Sequence, residues 1–576
     1  MAAKRKRQLR LGDLSPEALA ALEAVAEPVE LAGGEILFRQ GDPGDAVYVV
    51  VRGRLRVLAE DGSRAGFVAE IGPGETAGEM ALLTGGPRTA TVAAARDSEL
   101  LRISRPGFEA ACARSPQTLL GVTKELVHRL QRAEHKPPVP PSPRTVALLP
   151  LTAGAPVRKL AEQLAAAGWA GKAAAVVGSV EAAARFGAEL EAWLDAREQH
   201  HHLVLYAADG DVDWTRLCAR QADLILLVAE AGHPSSPAVV EAAAARGLDL
   251  VRRQLVLLHP GPQIRMPDGG VQGVESHHHV RLDRTGDVAR LARRLAGRAV
   301  GIAFGGGGAR GFAHLGVLRA ARELELPVDA VAGTSIGSII GGLAAMELDL
   351  DEIRDLCRRW LVDARVLAEK QLPLVSLVRP SRFDRSLREL FGERRIEELP
   401  LPYFCVSANL TQAEIVVHES GPLAAAVRAS GALPGVVPPV LRGGDLLVDG
   451  GVLNNLPGDL LRERHHCAVI ASDVSPARDL SVKAEVTEVP PPHRLLWERL
   501  RRGRQPVPGI LAILVRTVML GSLQAGHRVR AQADLYLHPP VDELGIFEFE
   551  AIDRAIEIGY QHALPRMREW KAARRS

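Results

Sequence analysis

The stretch GIAFGGGGARGFAHLGVL, Gly301 to Leu318, constrains the fold of this chain more than any other. An apolar run enters it, glycines interrupt it, and apolar residues at helical spacing leave it. Strand, tight loop and helix in that order open an α/β unit, with loop N–H groups and a helix N-terminus turned toward one point. Gly306, Gly308 and Gly311 also fit G-x-G-x-x-G, the fingerprint of a dinucleotide site. That reading needs an acid at the end of the second strand to hold a ribose. The second strand, VDAVAG, carries its acid, Asp329, near its start and ends in GTSIG, Gly333 to Gly337.

G-x-S-x-G between a strand and a helix is a nucleophile elbow. Gly333 and Gly337 permit the tight backbone, and the helix that continues through SIIGGLAAM puts Ser335 near its N-terminus. A serine hydroxyl needs a base to become a nucleophile, and the oxyanion it generates needs N–H donors. The glycine run answers the second need. Gly306, Gly307, Gly308 and Gly311 in that run offer N–H groups with no side chain in the way, and Arg310 adds charge or positions the loop. For the base, His314, His418, His465 and His466 stand in no distinctive setting. LLVDGGVLNNLP instead places Asp449 after an apolar strand and before two glycines, where a carboxylate could approach Ser335. The bland alternative is a solvated aspartate in a D-G-G turn.

Upstream the patterns change twice. Residues 12 to about 111 alternate apolar and polar residues between glycine turns at Gly41, Gly44, Gly53 and Gly62, which predicts an antiparallel barrel or roll. Helical spacing of Leu119, Val122, Leu126 and Leu130 follows, and then HKPPVPPSPR, a stiff extended linker with five prolines. From Thr145 to about Arg298, apolar runs alternate with Ala-rich helical segments, which predicts an α/β domain with a buried parallel sheet. After TVALLPL, where a phosphate loop would stand, the sequence TAGAPVRKLAEQL has no G-K-[ST]. A structural or spacing role is expected there. Two histidine triplets, His200–His202 and His277–His279, read as exposed loop histidines, and no metal site is expected.

The ordered set GGGxRG, GxSxG and DGG resembles the patatin-like phospholipase family, and GGGGARG, GTSIG and DGGVLNNLP look most like its neuropathy target esterase branch. The resemblance implies an α/β catalytic domain with a Ser335–Asp449 dyad, an oxyanion hole at Gly306 to Gly308, an acyl-serine intermediate and carboxylic esters of phospholipids or lysophospholipids as substrates. AGEMALLTGGPRTATV, Ala77 to Val92, resembles the phosphate-binding cassette of cyclic nucleotide-binding domains, a module that branch also carries. Gly78 with Met80 and Ala81 would face N–H groups to the cyclic phosphate. Arg88 would meet its oxygens, Glu79 the ribose 2′-hydroxyl, and Thr89 the phosphate or a guanine amino group. Ala77 replaces the usual aromatic. The regulatory ligand is therefore expected to be cAMP or cGMP, and no catalytic cofactor is expected.

The expected organisation is a basic tail (1–11), a β jelly roll of cyclic nucleotide-binding type (12–134), a Pro-rich linker (135–144), an α/β middle domain (145–298), a patatin-like α/β domain (299–465) and the C-terminal part of the catalytic region (466–576). Two alternatives stay open at this point: an esterase or thioesterase acting on soluble acyl esters, and a catalytically silent lipid-binding scaffold. A transcription factor would need a helix-turn-helix after the roll, where the proline linker stands, so no nucleic-acid partner is expected. The five cysteines are scattered with no C-x-x-C, and no apolar secretory segment begins the chain. The expected location is the cytoplasm, with peripheral contact at the inner face of the membrane. Lys4, Arg5, Lys6, Arg7 and Arg10, and the apolar and basic stretch from His493 to Leu523, favour that contact.

Overall fold

The computed structural model describes residues 16–61, 64–120, 123–124, 142–167, 173–183, 185, 187–233, 252–266, 274–372, 374–475, 489, 491, 497, 513, 517 and 520–575. The basic tail and most of the proline linker and of the stretch from His493 to Leu523 lie outside them. So do Val122, Leu126 and Leu130. The chain forms two compact units, Met1–Gly297 and Arg298–Ser576.

The first unit holds two sheets. Strands β1 (Glu27–Leu31), β2 (Ile36–Phe38), β3 (Ala46–Asp61), β4 (Arg64–Ile71), β5 (Thr76–Ala77) and β6 (Thr91–Ser104) form an antiparallel roll in the order β1-β6-β3-β4, with β2 on β6 and β5 on β3. Alternation is what builds it: Val47, Val49, Leu101 and Ile103 fill one small core, and Val50, Leu55, Val92 and Leu100 another.

The second sheet is entirely parallel: β7 (Thr145–Pro150), β8 (Ala174–Val177), β9 (Leu203–Ala207), β10 (Leu224–Glu230), β11 (Arg252–His259) and β12 (Ser276–Arg281), in the order β12-β11-β10-β7-β9-β8. Its central strands are buried on both faces, which is why they read as unbroken apolar runs. After β7, where a phosphate cradle would sit, Thr152 is buried and its hydroxyl accepts from the Glu230 N–H at 3.0 Å. Beside it Arg158 is paired with Glu181 and with Asp209.

One expectation fails in this sheet. His277–His279 are not exposed loop histidines. They lie in β12, with His278 and His279 buried, His278 bonded to Gln254 and His279 to His259 at 2.9 Å. The strand flips successive side chains to opposite faces, so a triplet cannot converge on one ion. No group of three or more metal-ligating side chains occurs among the described residues.

The roll and the parallel sheet meet at a buried ionic seam. Arg96 on β6 pairs with Glu198 at 2.7 Å and with Asp223 at 3.4 Å, and Arg54 on β3 reaches Asp223 and Glu70. The next residue of β6, Asp97, holds Arg220 at 2.9 Å and accepts from Gln221.

The second unit is built on one mixed sheet: β13 (Val300–Phe304), β14 (Ala330–Gly333), β15 (Tyr403–Asn409), β16 (Glu414–His418), β17 (Val440–Arg442), β18 (Asp445–Asp449), β19 (Ala468–Ser472) and β20 (Leu535–Leu537). The order is β17-β18-β15-β14-β13-β19-β20 with β16 on β15; β14, β13, β19 and β20 run parallel, and β18 runs antiparallel to β15. Helices Ala313–Glu323, Ile336–Ala345 and Ile552–Arg575 cover it. Gly316 and Gly559 let the first and last of these touch backbone to backbone. Residues beyond 465 thus supply two strands and a long helix to the same body. No helix among the described residues is long and apolar enough to cross a membrane.

Candidate active site

The parallel strands deliver the site to their carboxyl ends. Ser335 follows β14 and starts the helix Ile336–Ala345 with φ 55° and ψ −124°, a conformation that a residue with a Cβ rarely adopts. The turn closes only because its flanks are bare. A side chain on Gly333 would run into the Gly337 backbone, and one on Gly337 into the Phe304 carbonyl. The Ser335 N–H donates to the Ser430 hydroxyl at 3.0 Å, which pins the elbow from a second helix.

Asp449 ends β18. It lies in register with Ser407 of β15, its N–H donates to the Ala432 carbonyl at 2.9 Å, and its Oδ1 accepts from Gly451 N at 2.8 Å. Gly450 must be bare because it lies on the Val406 carbonyl. The carboxyl is 2% exposed, and this burial raises its pKa to about 6. The adjoining Ser335 hydroxyl and the Gly451 N–H oppose the rise. A carboxylate poised near neutrality beside a serine hydroxyl is equipped to take and return one proton.

The glycine loop follows β13, and its N–H groups are not equivalent. Gly305 N–H donates to Ser472 O, Gly306 N–H to Asn455 O at 3.1 Å, and Ala309 N–H to Ile546 O. Among the described residues no protein acceptor meets the N–H of Gly307 or Gly308, and both line the cavity with Ser335 and Asp449. Gly306 was expected to share the oxyanion role; its donor is already spent on Asn455. Arg310 and Gly311 were expected in the same cradle but stand behind it. Arg310 donates from Nε to the Leu544 carbonyl at 2.6 Å, and Gly311 is bare to admit Ile336. Neither lines the cavity.

Two supports were not read from the sequence. Asn455 holds the loop through Nδ2, which donates to Gly306 O and Ser475 Oγ, both at 3.0 Å. His314 is fully buried, with its pKa lowered to about 4 by burial. It lies 2.8 Å from the Gly305 carbonyl through Nε2 and 2.8 Å from Ser472 Oγ through Nδ1. A carbonyl only accepts, so Nε2 carries the proton and Nδ1 accepts from the hydroxyl. His314 therefore braces the loop, and no histidine among the described residues lines the cavity.

The cavity, about 130 Å³, is walled by Ile336, Ile339, Leu361, Phe383, Leu433 and Val437 among others. It adjoins a wider one of about 570 Å³, with which it shares Leu361, Val366, Leu367, Val436, Phe547 and Phe549. Such a lining suits an acyl chain rather than a charged group.

In the roll, Gly78 takes φ 87° ahead of the short helix Glu79–Thr84. Arg88 is buried over the Phe38 ring at 4.2 Å, donates to Gly78 O at 3.1 Å and faces Asp45 at 3.6 Å. Burial lowers its pKa, a cost that a bound anion relieves. Glu79 is buried, Met80 and Thr89 are exposed, and Ala81 packs beneath Gly44.

Residues 302–462 match the family model of patatin-like phospholipases, residues 28–115 that of the cyclic nucleotide-binding domain, and residues 142–295 that of the neuropathy target esterase family P-loop like domain. The chain thus carries a patatin-like phospholipase domain, preceded by a cyclic nucleotide-binding domain and a P-loop like domain of the neuropathy target esterase family. Human patatin-like phospholipase domain-containing protein 6 is 32% identical over 92% of this chain and 43% of its own length. Rat patatin-like phospholipase domain-containing protein 7 is 31% identical over 93% of this chain and 45% of its own length, and lysophospholipase nte1 of Aspergillus fumigatus 30% over 96% and 42%. The chain thus spans less than half the length of these relatives.

Proposed function

We propose that this chain is a serine esterase that hydrolyses carboxylic esters of lysophospholipids or phospholipids, under the control of a cyclic nucleotide. The observation that carries the reading is the meeting of Ser335, held at φ 55°, with the buried Asp449 at the end of an apolar cavity. Asp449 takes the Ser335 proton as Oγ attacks the ester carbonyl. The oxyanion forms against the free N–H groups of Gly307 and Gly308. Asp449 returns the proton to the departing alcohol, leaving acyl-Ser335. It then takes a proton from water as the oxygen adds to the acyl carbon, and gives that proton to Ser335 Oγ as the acyl–serine bond breaks and the fatty acid leaves. The printed name of the Aspergillus relative, a lysophospholipase, supports the substrate class.

Fatty-acid release from lysophosphatidylcholine tests this, with Ser335→Ala and Asp449→Asn alongside. Activity in the parent and its loss in both folded variants is the expected result; an active Ser335→Ala chain would end the proposal. In the roll, Arg88 and Glu79 with the Gly78 backbone support binding of cAMP or cGMP. Calorimetric titration with each should show binding that Arg88→Ala abolishes.

A further inference from the structure

The hairpin whose described residues are 370–372 and 374–378 sorts its side chains against the usual rule. Its ends are bridged, Lys370 to Val378, and Gln371 N–H donates to Leu377 O at 3.0 Å. Gln371 Nε2 donates to the Ser376 carbonyl and hydroxyl, at 3.2 and 2.7 Å, and Ser376 is 2% exposed. Leu377 and Val378 anchor the base through N–H bonds to Gly435 and Val436. Leu372, Leu374 and Val375 remain outside, exposed by 75%, 84% and 66%. A tied loop that buries its polar groups and displays three aliphatic ones is the reverse of what water selects.

Its position gives the display a purpose. Lys370, Gln371, Leu377 and Val378 line the wider cavity that adjoins the Ser335 cavity. Three exposed basic residues, Arg365, Lys370 and Arg379, flank the hairpin base, against two exposed acids, Asp363 and Glu550. Glu369 beside them is engaged by Arg382 and Ser381, and Glu550 is the one acid in the cavity lining.

We propose that this hairpin seats the catalytic unit on an anionic phospholipid layer. Leu372, Leu374 and Val375 enter the acyl boundary while Arg365, Lys370 and Arg379 meet headgroup phosphates. The inference rests on the esterase reading and deepens it, since a long-chain ester would then pass from the layer through the wider cavity to Ser335.

The test is co-sedimentation of the full chain carrying Ser335→Ala with vesicles of phosphatidylcholine alone or mixed with phosphatidylglycerol. A second chain adds Leu372→Ser, Leu374→Ser and Val375→Ser. Binding should rise with the anionic lipid, fall with salt, and weaken by about tenfold or more in the hairpin variant. In the Ser335 background, the same three changes should spare hydrolysis of a water-soluble butyrate ester and slow that of vesicle-borne lysophospholipid. Equal vesicle binding by both chains, or none by the parent, overturns the inference. So does self-association that the hairpin variant abolishes while vesicle binding persists. Hairpin-dependent binding in a chain with no esterase activity would sink the enzymatic reading and leave the membrane surface standing. Esterase activity with hairpin-independent binding would do the reverse.

Discussion

The Asn455 side chain donates to the Gly306 carbonyl at 3.0 Å, and its Oδ1 lies 2.6 Å from where a Cβ on Gly306 would fall. The Asn455 backbone carbonyl accepts from the Gly306 N–H as well, so one residue grips this glycine on both sides of its peptide. That grip leaves the next two N–H groups facing the cavity. Asn455→Ala should lower kcat on a soluble ester by about 10- to 100-fold with a smaller change in KM, because donor placement matters most in the transition state. Asn455→Asp, which cannot donate, should fall with it. Steady-state kinetics on folded variants decide the matter; an unchanged kcat in Asn455→Ala would show that the loop holds itself.

Asp449 sets a pH dependence in two observables. As base it must be ionised, so kcat/KM should fall by about tenfold per unit below a pKa near 6. For stability the sign is opposite. Burial raises the folded pKa above the ~3.9 of an unfolded aspartate, so the folded state binds the proton more tightly. The stabilisation is complete below about pH 4 and is lost as pH rises through about 6. Asp449→Asn should therefore be inactive and melt at a higher temperature than the parent at pH 8. A lower melting temperature there would mean that burial of the carboxylate carries no such cost.

The elbow stores strain that can be released. Ser335 at φ 55° and ψ −124° occupies backbone space that glycine enters freely. Ser335→Gly should abolish hydrolysis and stabilise the catalytic unit by about 1 kcal/mol, read as a shift in its denaturation midpoint. Gly337→Ala should destabilise the unit and also lower hydrolysis, because its Cβ meets the Phe304 carbonyl, which belongs to a sheet strand and cannot yield.

Asp223 is the centre of the seam in the first unit. It is fully buried, and although burial opposes ionisation, Arg96 and Arg54 hold its pKa below the ordinary value. Asp223→Ala leaves both guanidiniums without their shared anion and should cost about 3–5 kcal/mol. A depressed pKa makes this stabilisation complete above about pH 4 and lost as pH falls through the lower folded value. Thermal melts of parent and variant should therefore differ widely at pH 7 and converge in strong acid.

The residues that were legible in sequence are those whose chemistry is local. Ser335 could be read because strand, turn and helix are contiguous, and Asp449 because a strand end and two glycines flank it. The neighbours were not legible where the partner is distant in sequence. The Gly306 N–H looks as available as that of Gly307 until Asn455 folds onto it from across the site. Arg310 reads equally as a charge for the oxyanion or as a brace for the loop until its guanidinium is found on Leu544 O. His277–His279 read as a loop because three polar residues obscure the period of two; only pairing with β11 makes them a strand.

Strand β6 begins two residues after Thr89 and reaches the seam at Arg96 and Asp97. This continuity has a consequence for how such chains are assembled in evolution or in the laboratory. The roll is not an interchangeable cartridge. A donor roll grafted in its place would need arginines where Arg54 and Arg96 stand and an acid in place of Asp97. Without them, Asp223, Glu198 and Arg220 would face an uncharged wall, so the roll and the parallel sheet must be inherited together.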